Sequence, residues 1–278
     1  MGEESESSGV PILPLLVLGA VLTGYVAFVY AIGIPKVGVI KIDGAIMEKE
    51  KADKINEMLR FARDRRDIRA VVLEINSPGG IASASEDIYL TVLGLREKKP
   101  VVASIHSLGA SGAYFIASAS DYIFAKTASN VGSIGVRAVL PRRVPPDEDT
   151  LTTGPLKKSG FAREDFVRDL EIVKEAFLRS VLSQRGDRIK IEKEELSKAG
   201  IYIGVEAKRF GLVDELGSNT DAYSRAASFA GLRKYRVLDI NKELSITLDE
   251  STVFLVNESR INRTNTAPAY YFIYMEPG

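Results

Sequence analysis

VVASIHSLGASGAYFIASASDYIFA, residues 101–125, decides the fold. It opens and closes on short apolar runs, VVASIH and YIFA, of the kind that become strands buried on both faces of a parallel sheet. The stretch between them is made largely of Ala, Gly and Ser and predicts a helix that can approach its neighbours closely. A strand, a helix and another strand in so short a span describe a crossover unit.

The pattern repeats outward from there. Upstream, VGVIKIDG (37–44) alternates like a strand, and AVVLEIN (70–76) is an apolar run stopped by SPGG (77–80). Residues 48–66 predict an exposed helix with Ile55, Leu59 and Phe61 as its thin apolar stripe. Residues 83–97 predict a helix with Ile88, Val92 and Leu95 on one side. Downstream, residues 138–150 hold three prolines and no periodicity, so a loop, followed by a short LTTG strand. Phe166, Leu170, Val173, Phe177 and Val181 then recur at helical spacing, and further helices are expected over 192–199, 204–210 and 219–230. The expectation is an α/β domain with a largely parallel sheet. The last forty residues lean towards β structure and end near an apolar YYFIYM, an edge strand or a segment lying on a membrane.

Composition narrows the chemistry. Among 278 residues there is no cysteine and one histidine, His106, which excludes thiolate catalysis and Cys- or His-built metal centres. No metal and no cofactor is expected. Thirty-seven Lys and Arg balance 37 Asp and Glu, so bulk charge gives no reason to expect a nucleic-acid partner.

Residues 10–34 carry no charge. As one helix they would span about 37 Å at about 1.5 Å per residue, enough for a hydrocarbon core of about 30 Å. The leading segment is acidic and the core long, which argues against a cleaved signal peptide and for a retained single span over residues 10–35. Glu3, Glu4 and Glu6 precede it, and Lys36 and Lys41 follow it, a charge pattern that leaves its orientation open.

Two short motifs bear on function. SPGG reads as an ordinary turn, yet Pro-Gly-Gly at a strand end also exposes backbone N–H groups that can bind an oxyanion. Ser111, where the strand gives way to the small-residue helix, is either a nucleophile or a packing residue. As nucleophile it needs a base. His106 lies five residues earlier inside the strand, badly placed to turn back on it. A lysine serves if burial favours its neutral form, and Lys157 and Lys158 follow a strand and turn with few other charges nearby.

SPGG, LGASGAYFIASASDYIFA, NVGSIGV (130–136), TGPLK (153–157) and GIYIGVEAKRFGLVDELG (200–217) occur in this order. Together they resemble the signal peptide peptidase A family, membrane-anchored serine proteases of the Clp/crotonase fold class, over about residues 37–235. The resemblance implies repeated ββα units behind one transmembrane helix. With the uncharged run, this divides the chain into an acidic tail (1–9), a span (10–35), a protease domain (36–235) and an extension (236–278) of unassigned role, to which the resemblance does not extend. By the same resemblance Ser111 is the nucleophile, Lys157 the general base and Ser133 the residue that orients it. The N–H groups of Gly80 and Gly112 form the oxyanion hole, and Gly79 shapes the turn. Lys158 stands where the family has Asp or Ser, so it is the runner-up base. The implied substrates are signal peptides or membrane-protein remnants, the implied assembly is a homo-oligomer, and the catalytic domain is expected outside the cytoplasm. A Ser-His-Asp triad is closed off, because SIGVRAV holds no histidine. The competing readings are a crotonase-type acyl-CoA hydratase or isomerase, which needs acid/base carboxylates near the pocket, and a non-catalytic membrane scaffold.

Overall fold

The computed structural model describes residues 12–139, 153, 154, 157, 163–248 and 269–273. In chain order the first elements are α1 (Ile12–Ile32), β1 (Lys36–Asp43), α2 (Lys49–Asp64), β2 (Ile68–Ser77), β3 (Gly79–Ile81) and α3 (Ala82–Arg96). β4 (Val101–Ala110), α4 (Gly112–Ser118), β5 (Tyr122–Ala125), β6 (Asn130–Gly132) and β7 (Arg137–Val139) follow. After them come α5 (Arg163–Arg185), α6 (Lys193–Leu196), β8 (Ile201–Ile203), α7 (Gly204–Arg209), β9 (Glu215–Leu216) and α8 (Asn219–Phe229). β10 (Arg236–Asp239), α9 (Ile240–Glu243) and β11 (Ala269–Ile273) complete the described chain.

The apolar runs assemble into one sheet in the order β10-β1-β2-β4-β5-β9, every neighbouring pair parallel. β6 continues beside β4 in parallel and takes antiparallel β8 on its other edge. Both faces of the sheet are covered, as parallel strands require. On one face Ile40, Ile42, Leu73, Ile75, Ala103 and Ile105 meet α2, α3, α4 and α5 in the main core. On the other, Val37, Val39, Val72, Val102 and Phe124 pack beneath Ala222, Ala226 and Ala227 of α8. α8 begins where sequence rules place it, in a capping box between Ser218 and Asp221. Helix, sheet and helix therefore form three layers, with the parallel strands expected from the alternating pattern.

A buried ion pair ties the long helix to this body. Arg185, 1% exposed in its side chain, donates to both carboxylate oxygens of Asp214 at 2.9 Å and to the carbonyl of Gly211. Beside it Tyr114, fully buried, donates to the carbonyl of Leu212 at 2.8 Å, and burial pushes its phenol well above the ordinary value.

Three expectations change. SPGG is a turn only at its start: Gly79 and Gly80 continue as strand β3 because Gly79 C=O and Ile81 N–H bond the backbone of Ile46 on either side of Gly80. The small-residue helix is shorter than its composition suggests, since β4 runs to Ala110 and α4 ends at Ser118. The C-terminal stretch supplies β11, which joins β3 and β7 in a separate antiparallel sheet rather than the edge of the main one. The expected loop lies outside the described residues from 140 onward, as do residues 151 and 152 of the LTTG strand.

Residues 10 and 11 of the expected membrane span also lie outside the described residues. α1 has 21 residues and no charge, and its described side chains, all within residues 13–24, are exposed. Among the described residues no helix is long and apolar enough to cross a membrane.

Candidate active site

Ser111 stands at the junction of β4 and α4, at the carboxyl end of the sheet. It is 1% exposed and holds φ 55° and ψ −120°, a conformation side chains rarely adopt. Two bonds keep it there: its N–H donates to the carbonyl of Gly132 at 2.8 Å, and its own carbonyl accepts from Phe115 N–H at 2.9 Å. A strand that stops on a strained residue and turns at once into a helix presents that residue's side chain at the sheet edge.

The two glycines of SPGG lie against this turn. Gly79 has φ +91°, and its N–H donates to Ser77 Oγ at 3.1 Å. A Cβ on Gly79 would fall 2.5 Å from the backbone nitrogen of Gly112 and 3.1 Å from the carbonyl oxygen of Ala110, so no side chain fits between the two segments. A Cβ on Gly80 would fall 2.0 Å from the carbonyl oxygen of Ile46. Because Gly79 C=O and Ile81 N–H both point at Ile46, the N–H and C=O of Gly80 point to the opposite edge of β3. Glycine is thus required at 79 for its dihedral and at both positions for close approach.

Register brings Ser133 to the same place. β6 sets Gly132 opposite Ala110 of β4, so Ser133 and Ser111 are the next residues along two adjacent parallel strands. Ser133 is itself held at φ 53°, with its N–H donating to the carbonyl of Gly200 at 2.7 Å. Ser111, Gly112, Gly79, Gly80 and Ser133, scattered over 55 positions of sequence from 79 to 133, converge at one end of the sheet.

The lysine is not gathered in. Lys157 is exposed, in a turn whose described bond runs from its own N–H to the carbonyl of Gly154 at 3.3 Å. Among the described residues no hydrogen bond joins its side chain to Ser111 or Ser133, and Lys158 lies outside them. Burial does lower two other lysines, and neither serves the site. Lys99 Nζ donates to the carbonyls of Ala62 and Arg65, and Lys126 Nζ to Asn219 Oδ1. His106 is exposed, with Nδ1 2.9 Å from Ser107 Oγ. Among the described residues no cluster of His, Asp and Glu could hold a metal ion.

Two neighbours of the site escaped the sequence reading. Among the described residues Ser85 Oγ is buried without a hydrogen-bond partner, 2.3 Å from where a Cβ on Gly112 would stand. As a serine in an ordinary helix it gave no signal. Phe272, on β11, sits over the glycines, and only the apolar YYFIYM run hinted that this stretch packs anywhere.

The model of peptidase family S49 matches residues 94–233, half of the chain, and covers β4, Ser111 and Ser133. The chain belongs to peptidase family S49. A Clp protease model matches residues 33–131, in keeping with the parallel sheet. Protease 4 of Haemophilus influenzae is 31% identical over 219 residues, 72% of this chain and 35% of that protein. Protease 4 of Salmonella typhi is 30% identical over 232 residues, 77% of this chain and 37% of its own length. Serine protease SPPA of Arabidopsis thaliana, a chloroplastic protein, is 28% identical over 213 residues, 70% of this chain and 30% of its own. The chain thus spans about a third of the length of these three relatives.

Proposed function

We propose that the chain is a serine endopeptidase in which Ser111 attacks the scissile carbonyl and a lysine, Lys157 before Lys158, is the base. The observation that carries this reading is the strained, buried serine packed against two glycines whose Cβ positions are forbidden. In the mechanism the neutral lysine takes the Ser111 proton, and Oγ bonds to the carbonyl carbon. The N–H groups of Gly80 and Gly112 receive the oxyanion. As the intermediate collapses the lysine returns its proton to the leaving amine, and water hydrolyses the acyl-enzyme by the same steps. Ser133, beside Ser111 by register, orients the lysine. A lysine base needs a desolvated amine, and Lys157 is exposed in the single chain. The proposal therefore includes a cover for it, supplied by bound peptide and a second copy in a homo-oligomer.

The proposed substrates are apolar peptides, signal peptides or membrane-protein remnants, consistent with anchoring through residues 10–35 and a catalytic domain outside the cytoplasm. Support for the anchor is the run of residues 10–34, which carries no charged residue. The test is hydrolysis of an apolar fluorogenic peptide by the full chain in detergent. Ser111→Ala and Lys157→Ala are expected to abolish it, and the wild-type rate is expected to rise with pH as the base loses its proton. Activity that survives Lys157→Ala and dies in Lys158→Ala moves the base by one residue. Activity that survives Ser111→Ala refutes the reading.

A further inference from the structure

We infer that β11 is a built-in occupant of the peptide track, a strand of the chain's own that competes with substrate for the edge of β3. The inference rests on the proposed oxyanion role of Gly80 and Gly112, and extends it to regulation.

β11 lies between β3 and β7, antiparallel to both, and these two strands are joined in their sheet only through it. Lifting β11 out would leave a slot one strand wide, about 9–10 Å between β3 and β7, lined on each side by backbone groups free to pair with an extended chain. Extended peptides bind by this kind of strand addition.

The register places β11 where a substrate would react. Phe272 stands opposite Gly80, with Tyr271 opposite Ile81 and Ile273 opposite Gly79. Since the N–H and C=O of Gly80 face this edge, Gly80 and Phe272 form the hydrogen-bonded type of pair, in which Gly80 N–H points at the Phe272 carbonyl. That carbonyl oxygen lies 2.1 Å from the Cβ position of Gly79 and 3.0 Å from that of Gly112. A peptide carbonyl of the chain itself thus sits beside both proposed oxyanion donors.

Phe272 is also anchored by its side chain. It is 4% exposed, its ring centroid 4.5 Å from that of Phe177 and 5.7 Å from that of Phe115, which in turn stacks on Tyr89 at 4.2 Å. A substrate strand following the same track must displace this ring as well as the ladder. If β11 is docked in nine molecules of ten, apparent peptide affinity falls about tenfold, because only the undocked tenth can bind.

The chain has no cysteine, so one engineered pair can lock the strand without side reactions. Tyr271 and Ile81 form the closer, non-hydrogen-bonded pair, which suits a disulfide. The experiment uses the full chain with Ile81→Cys and Tyr271→Cys in a Ser111→Ala background. Binding of fluorescein-labelled Ala-Tyr-Tyr-Phe-Ile-Tyr is followed by anisotropy. The oxidised protein is expected to bind at least tenfold more weakly than the same protein after reduction, and Phe272→Ala several-fold more tightly than its parent. Equal binding by the oxidised and reduced forms, or failure of the disulfide to form, overturns the inference. Binding in this background needs no hydrolysis, so a chain that binds under control of its tail yet never cleaves would refute the peptidase reading alone.

Discussion

Gly79→Ala tests how closely the SPGG backbone and the serine turn depend on each other. At φ +91° an alanine is strained by about 1–2 kcal/mol. It cannot relax by flipping, because Gly79 N–H is bonded to Ser77 Oγ and Gly79 C=O to Ile46 N–H. The new methyl would also stand 2.5 Å from the Gly112 nitrogen and 2.1 Å from the Phe272 carbonyl oxygen, where real Cβ contacts begin at about 3.0 Å. Gly112 N–H must therefore move by about 0.5 Å or more, enough to spoil an oxyanion donor. Loss of one donor costs about 2.7–4 kcal/mol of transition-state stabilisation, about 10²–10³ in kcat. The backbone strain alone lowers Tm by roughly 2–8 °C for a domain of this size. Peptide hydrolysis and thermal melting of the purified full chain give both numbers. Gly94→Ala is the control: its Cβ meets nothing within 4 Å, and in the last turn of α3 it should change stability by less than about 1 kcal/mol with activity unchanged. A Gly79→Ala protein within tenfold of wild-type kcat would show that these N–H groups do not hold the oxyanion.

Two further outcomes follow from the same contacts. Ser111→Gly should be more stable than Ser111→Ala by up to about 2 kcal/mol, since both lack the hydroxyl and only glycine relieves φ 55°; equal unfolding free energies would mean the turn carries no strain. Tyr114, whose buried phenol ionises only well above the ordinary value, stabilises the fold fully below pH 10 and progressively less as the unfolded chain ionises above it. Tyr114→Phe should thus lose about 1 kcal/mol at neutral pH with the bond to Leu212, yet fall less steeply above pH 10. Parallel pH-melting curves for the two proteins would contradict this.

What the sequence made legible is what local pattern encodes. The runs at 70–76 and 101–106 are apolar at most positions because parallel strands bury both faces, and they lie in β2 and β4. The +4, +3, +4, +4 spacing from Phe166 to Val181 falls within α5. Ser111 was visible because it sits where one periodicity stops and another starts. The rest depends on partners remote in the chain. β3 is a strand only through Ile46 on one side and β11, some 190 residues away, on the other, so the local pattern of Pro-Gly-Gly signals a turn and not a strand. β11 carries no functional motif, and its place follows from a register no local pattern records. The lysine is the opposite case: its motif is readable by resemblance, whereas the burial that the proposed base requires depends on what covers it, and Lys157 is exposed here.

The most direct measurement of the central claim is covalent. An activated ester of an apolar peptide, mixed with the full chain and quenched within one turnover, should leave its acyl group on a protease-generated fragment containing Ser111, and tandem mass spectrometry should place it on that residue. The same adduct should be absent from Ser111→Ala. An acyl group mapped to any other side chain, with turnover intact, would contradict the account.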